Sequence, residues 1–175
     1  MTFRQHIAKF VTGNATTSQL TDIAIIGLEE GLDSPSLCIL AGLNKNENPF
    51  EIREYFTKAL NELNIQLPDK RQAAIEYGIA IADLIIAGKM DVIIGTKQII
   101  DDAIHKYDFY SETKNYCYDS ISFEHVYGVY HSYDDLINAD YPWQIGKSNE
   151  ELLKEVKAEL WEELKKWSEK NKNSA

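Results

Sequence analysis

The chain has 175 residues, 44% of them hydrophobic and 26% charged, and a formal net charge of -10. That is about one domain's length with enough apolar matter for a core, which excludes wholesale disorder. The negative balance repels phosphate backbones and anionic lipid, so direct nucleic-acid or membrane binding is not expected. A basic protein is the partner that long-range attraction favours.

The two cysteines, Cys38 and Cys117, have no C-x-x-C spacing and are read as free thiols of a reducing compartment. The first twenty residues lack the apolar run and cleavage site of a signal peptide. The most apolar stretch, Ala73 to Ala87, is interrupted by Glu76 and Asp83 and is too short to span a bilayer. A cytoplasmic protein is expected.

In chain order, Thr17 or Ser18 can cap a helix carrying Leu20, Ile23, Ala24 and Leu28, which Gly31 closes. In "DSPSLCILAGL", Ser34 is a natural N-cap, Pro35 suits the first helical position, and Gly42 ends a short apolar helix. Asn48 and Pro49 start the next, with Ile52, Phe56, Ala59, Leu60 and Leu63 on one face. A helix from Asp69 to near Gly88 is apolar almost all round and reads as the buried helix about which the fold is built. Its Glu76 and Asp83, seven apart, share a narrow strip expected to face water.

In "MDVIIGTKQIIDDAIHKY" the residues Ile93, Thr96, Ile99, Ile100, Ala103 and Ile104 form a helical face, although "DVIIG" alone fits a short strand. Near the C-terminus, Ser148 and Glu151 make a capping box. Leu153, Val156, Leu160, Leu164 and Trp167 form a stripe there, with Glu150–Lys154 and Glu162–Lys166 as i,i+4 pairs. The expected architecture is mainly α: one helical domain over residues 1–170, its short helices able to stack in pairs, with a frayed tail at 171–175.

The segment near 107–133 is irregular or short-stranded on this reading. "ISFEHVYGVYHSYDDLI" fits a helix through Phe123, Val126, Tyr127, Tyr130 and Ile137. It also alternates as a strand through Ile121, Phe123, His125, Tyr127, Val129, His131 and Tyr133. Helical neighbours favour the helix.

No phosphate-binding, dinucleotide-binding, zincin or nucleophile-elbow motif is present, so no catalytic residue, metal or cofactor is assigned. Cys117 with His105, His125 or His131 is a conceivable nucleophile pair, but an inert thiol is the simpler reading. Asp101, Asp102, His105, His125 and His131 are the set that a small metal-dependent or hydrolase-like enzyme would use. A third alternative is a scaffold subunit whose Trp161/Trp167 helix packs on a copy of itself.

The compositional anomaly lies between Asp101 and Trp143, which hold eight of the ten tyrosines. Nine carboxylates there (Asp101, Asp102, Asp108, Glu112, Asp119, Glu124, Asp134, Asp135 and Asp140) face only Lys106 and Lys114. Tyrosine supplies contact area at low entropic cost, and carboxylates speed encounter with a basic surface. Tyrosines plugging a core edge beneath a solvated acidic loop would show the same composition.

"LDSPSLCILAGL", "EIREYFTKALNELNIQLP" and "AIEYGIAIADLIIAGKMDVIIGTKQI" resemble small bacterial helical proteins of unknown function, over roughly Leu32 to Ile104. In surface composition the acidic, tyrosine-bearing segment is similar to immunity proteins, which neutralise a cognate bacterial toxin by covering its basic active or substrate-binding surface. That likeness implies a non-enzymatic inhibitor of a basic toxin, such as a nuclease. The expected partner-binding residues are Asp108, Tyr110, Glu112, Tyr116, Tyr118, Asp119, Glu124, Tyr127, Tyr130, Asp134 and Asp135.

Overall fold

Side chains that accept backbone N–H groups mark where helices begin. In the computed structural model, which describes residues 1–138 and 146–173, Thr2 Oγ1 accepts from the Gln5 N–H and opens α1 (Phe3–Val11). The sequence reading passes over this helix, although T-x-x-Q is a legible capping box. A 3-10 turn over Thr17–Gln19 leads into α2 (Leu20–Glu29), and Gln19 Oε1 accepts from the Thr16 N–H at 2.8 Å. Thr16 thus opens the 3-10 turn, and α2 itself has Gln19 at its N-cap, just after the cap expected at Thr17 or Ser18. Ser34 caps α3 (Pro35–Gly42) and Asn48 caps α4 (Pro49–Glu62), both with proline in the first turn.

The remaining helices are α5 (Lys70–Ile86), α6 (Val92–Asp102), α7 (Glu124–Asn138) and α8 (Asn149–Lys172). No strand occurs among the described residues, and the protein is all-α. Two compact units, Met1–Tyr77 and Gly78–Ala175, divide within α5.

In the first unit, Phe3 and Ile7 of α1 join Leu20, Ile23 and Ala24 of α2, Leu37 and Leu40 of α3, and Ile52, Phe56, Ala59 and Leu60 of α4 in one buried cluster. The close approach of α1 to α2 needs Gly27, where an added Cβ would sit 2.9 Å from the Phe3 ring. Glu62, near the end of α4, accepts from both the N–H (2.9 Å) and the hydroxyl (2.7 Å) of Ser36 in α3. These bonds hold its carboxyl below the usual range. Glu76 of α5 pairs with Arg4 at 2.8 Å and accepts from Gln72, so it is an ion-pair partner rather than part of a water-facing strip.

In the second unit Asp83 likewise takes Lys172 of α8, at 2.5 Å. Asp91 accepts from the N–H groups of Ile93 and Ile94, making "DVIIG" the first turn of α6 rather than a strand. Ser148 and Glu151 form the expected capping box on α8. That helix buries Leu152, Leu160, Leu164, Trp167 and Ser168, while Leu153 and Val156 of the expected stripe are half-buried. Lys154 pairs with Glu150 at 2.9 Å, but Lys166 takes Glu163 at 2.7 Å in place of Glu162. The helix runs to Lys172, into the tail expected at 171–175, of which 174 and 175 lie outside the described residues.

Near 107–133, expected to be irregular or short-stranded with helix favoured in its second half, the irregular and helical readings hold and the strand alternative is corrected. The segment makes 3-10 turns at Phe109–Glu112 and Asp119–Ile121 and then enters α7, which packs along α8 and buries Val126 and Leu136. A helix satisfies its own backbone groups and needs no neighbouring strand, so the 3.6-residue pattern wins over the alternation. His125 and His131 are left exposed on α7.

Candidate functional site: the tyrosine-rich face of the second unit

The loop between α6 and α7 is held from beneath by apolar residues and from within by carboxylates. Phe109, Ile121 and Phe123 are buried. Phe123 meets the edge of Trp167 at 5.0 Å, while the Trp167 indole N–H donates to the Ile121 carbonyl at 3.0 Å. Asp108 accepts from the Ser111 N–H and starts the first turn. Asp119 accepts from three successive backbone N–H groups: Lys114 (3.1 Å), Asn115 (2.8 Å) and Tyr116 (3.2 Å). These bonds favour its ionised form, the Asn115 amide foremost, and lower its pKa.

Tyr118, one of the expected anchors, is largely buried. It is 7% exposed, with its ring edge against Tyr127 at 4.9 Å, and burial pushes its phenol up to about 12. It packs in the core and shows only a small part of its surface, at the edge of the first cleft described below. Its backbone takes φ 65°, and that of Ser122 takes φ 57°, both in the left-handed region. The two positive-φ residues bracket the second turn.

The remaining residues sort by exposure. Asp108, Tyr110, Tyr116, Asp134 and Asp135 are exposed, the two tyrosines by 69% and 70%. Glu112, Asp119, Glu124, Tyr127 and Tyr130 are half-buried, and Asp119 is committed to the loop's own amides. Burial raises the phenols of Tyr127 and Tyr130. Asp140 and Trp143 lie outside the described residues.

Two clefts open on this face. One, of about 400 Å³, is lined by His105, Lys106, Tyr107, Asp108, Tyr110 and Tyr118. The other, of about 510 Å³, is lined by Tyr116, Cys117, Glu124, His125, Tyr127 and Gly128. The exposed tyrosines Tyr110 and Tyr116 thus stand one at each cleft. Sequence reasoning passed over Gly128, although it lies four residues after Glu124 and so shares its side of a helix.

Of the residues that the enzymatic alternative would use, Asp101 and His105 approach to 3.9 Å, but Asp101 is already paired with Lys97. Among the described residues no three His, Cys, Asp or Glu side chains group as metal ligands. Burial raises the Cys117 thiol, which disfavours a nucleophilic thiolate. Trp167 is 2% exposed and is spent in the core, so only Trp161 of the scaffold pair has accessible surface. Among the described residues no helix is long and apolar enough to cross a membrane. Compared with known proteins, the chain matches no family model, no curated protein and no solved structure.

Proposed function

We propose that this chain is a non-enzymatic acidic binding protein of the immunity or inhibitor kind. It neutralises a basic bacterial toxin, of which a nuclease is the leading example, by covering its active or substrate-binding surface. The observation that supports this is the pair of highly exposed tyrosines, Tyr110 and Tyr116, on a loop whose backbone Asp119 pins and whose underside is buried. Pre-ordered aromatic anchors lose little entropy on binding. Asp108 and Glu112 of the same loop and Glu124, Asp134 and Asp135 of α7 meet lysine and arginine on the partner, while Tyr127 and Tyr130 add partial faces. The cytoplasm is the compartment in which such a protein shields its own cell.

Capture from a native lysate with the wild-type chain and with a Tyr110→Ala/Tyr116→Ala variant tests this. The expected result is a basic protein that only the wild type retains, that is toxic when expressed alone and harmless when co-expressed with the chain. Its association rate falls steeply with ionic strength. Equal retention by the variant, or an association rate indifferent to salt, overturns the reading.

A further inference from the structure

Glu124, Tyr127 and Gly128 stand within one turn of α7 and share the 510 Å³ cleft with Tyr116, Cys117 and His125. Glu124 is the first residue of α7. Its Oε2 is sealed from solvent, and no donor among the described residues reaches it, although the side chain as a whole is 24% exposed. His125 Nε2 stands 4.0 Å from the other oxygen, beyond hydrogen-bond reach. The sealed oxygen leaves the carboxylate under-compensated where it stands, so a cation that meets its other oxygen, Oε1, at the cleft stabilises the whole group.

The walls select the cation. Tyr116 and Tyr127 supply aromatic surface on which a planar guanidinium stacks while it presents its N–H groups to a carboxylate, and a compact ammonium does neither as well. Gly128 leaves room for a flat head group: a Cβ added there would meet nothing within 4 Å.

We infer that this cleft is a guanidinium-binding site, with Glu124 as its charge partner and Tyr116 and Tyr127 as its walls. The guanidinium comes either from an arginine of the basic partner, in which case the inference rests on the function proposed above, or from a small free guanidine.

The test titrates the full chain with n-butylguanidinium, followed by ¹H–¹⁵N NMR, with neutral n-butylurea as the control. Saturating shifts are expected in the amides of Tyr116 and Glu124 to Gly128, with butylurea weaker by about tenfold or more. Glu124→Gln weakens binding by a similar factor, about tenfold. Gly128→Leu abolishes binding by filling the cleft, and because its new side chain meets open space in a helix, its melting temperature does not fall. Equal binding of butylurea, unchanged binding by both variants, or no saturating shift at the cleft overturns the site. The two sources separate on partner capture: Gly128→Leu releases the basic partner if an arginine fills the cleft, and leaves it retained if a free guanidine does. Failed capture leaves the titration standing, and a failed titration leaves the tyrosine-based capture standing.

Discussion

Trp167 of α8 donates its indole N–H to the carbonyl of Ile121, 46 residues earlier, at 3.0 Å. The same carbonyl accepts from Asn171 at 3.2 Å, so one backbone oxygen at the end of the tyrosine-rich loop is gripped by two side chains of the C-terminal helix. The loop is thereby an appendage of α8 in energetic terms, although it precedes α7 in the chain.

Gly78 lies against the other side of that ring, where an added Cβ would meet Trp167 Cη2 at 2.9 Å. Gly78→Ala therefore sets about 1–3 kcal/mol of overpacking against about 1 kcal/mol of improved helix propensity, and a net loss of stability is expected in urea unfolding. In a Trp167→Phe background the smaller ring yields, and the alanine costs less. Simple additivity of the two changes would refute the contact.

Asp119 supports the loop through its charge. Because three amides bond the ionised form, its folded-state pKa is depressed. The support is fully present above the unfolded carboxylate's value of about 3.9 and is lost as pH falls through the lower folded value. Hydrogen exchange at the amides of residues 114, 115 and 116 is expected to be slow down to that point. Asp119→Ala makes these amides exchange fast at every pH, and protection that survives the substitution would rule the clamp out.

The alkaline limb belongs to Tyr118. Its folded phenol titrates at about 12, whereas an unfolded phenol ionises near 10. The stability of the neutral buried phenol is fully present below about pH 10 and is lost as pH rises toward 12. Absorbance titration of tyrosinate should show a late phase that Tyr118→Phe removes, and that variant should lose less stability between neutral and alkaline pH.

Ser122 carries a side chain at φ 57°, where glycine is the unstrained residue. Ser122→Gly is expected to raise stability by about 0.5–1 kcal/mol, measured as a higher melting temperature. A lower one would mean that the serine makes a compensating contact.

The parts of this fold that were legible in the sequence are those where the cause is local. Ser34 with Pro35, Asn48 with Pro49, and Ser148 with Glu151 cap their helices as spacing alone requires, because each reaches only its own first turn. The acidic, tyrosine-bearing segment was also visible as composition. Its division into core and surface was not. Tyr118 and Tyr116 are two residues apart in a similar setting, yet one is 7% exposed and the other 70%. Tyr118, at a positive φ, packs against Tyr127 of α7 and beside His105, and no local pattern encodes those contacts. The acids behaved alike in sequence for the same reason: Asp119 is spent on backbone amides while Asp134 and Asp135 stay exposed, and only the turn geometry tells them apart.

The Asp119 clamp has an evolutionary corollary. It grips Lys114, Asn115 and Tyr116 through main-chain amides, which every residue except proline possesses, and all three side chains are exposed. The path of the chain is thereby uncoupled from the identity of the residues along it. Substitutions at these positions rewrite the chemistry the loop displays without redrawing its course, so recognition can diversify here at little cost to folding.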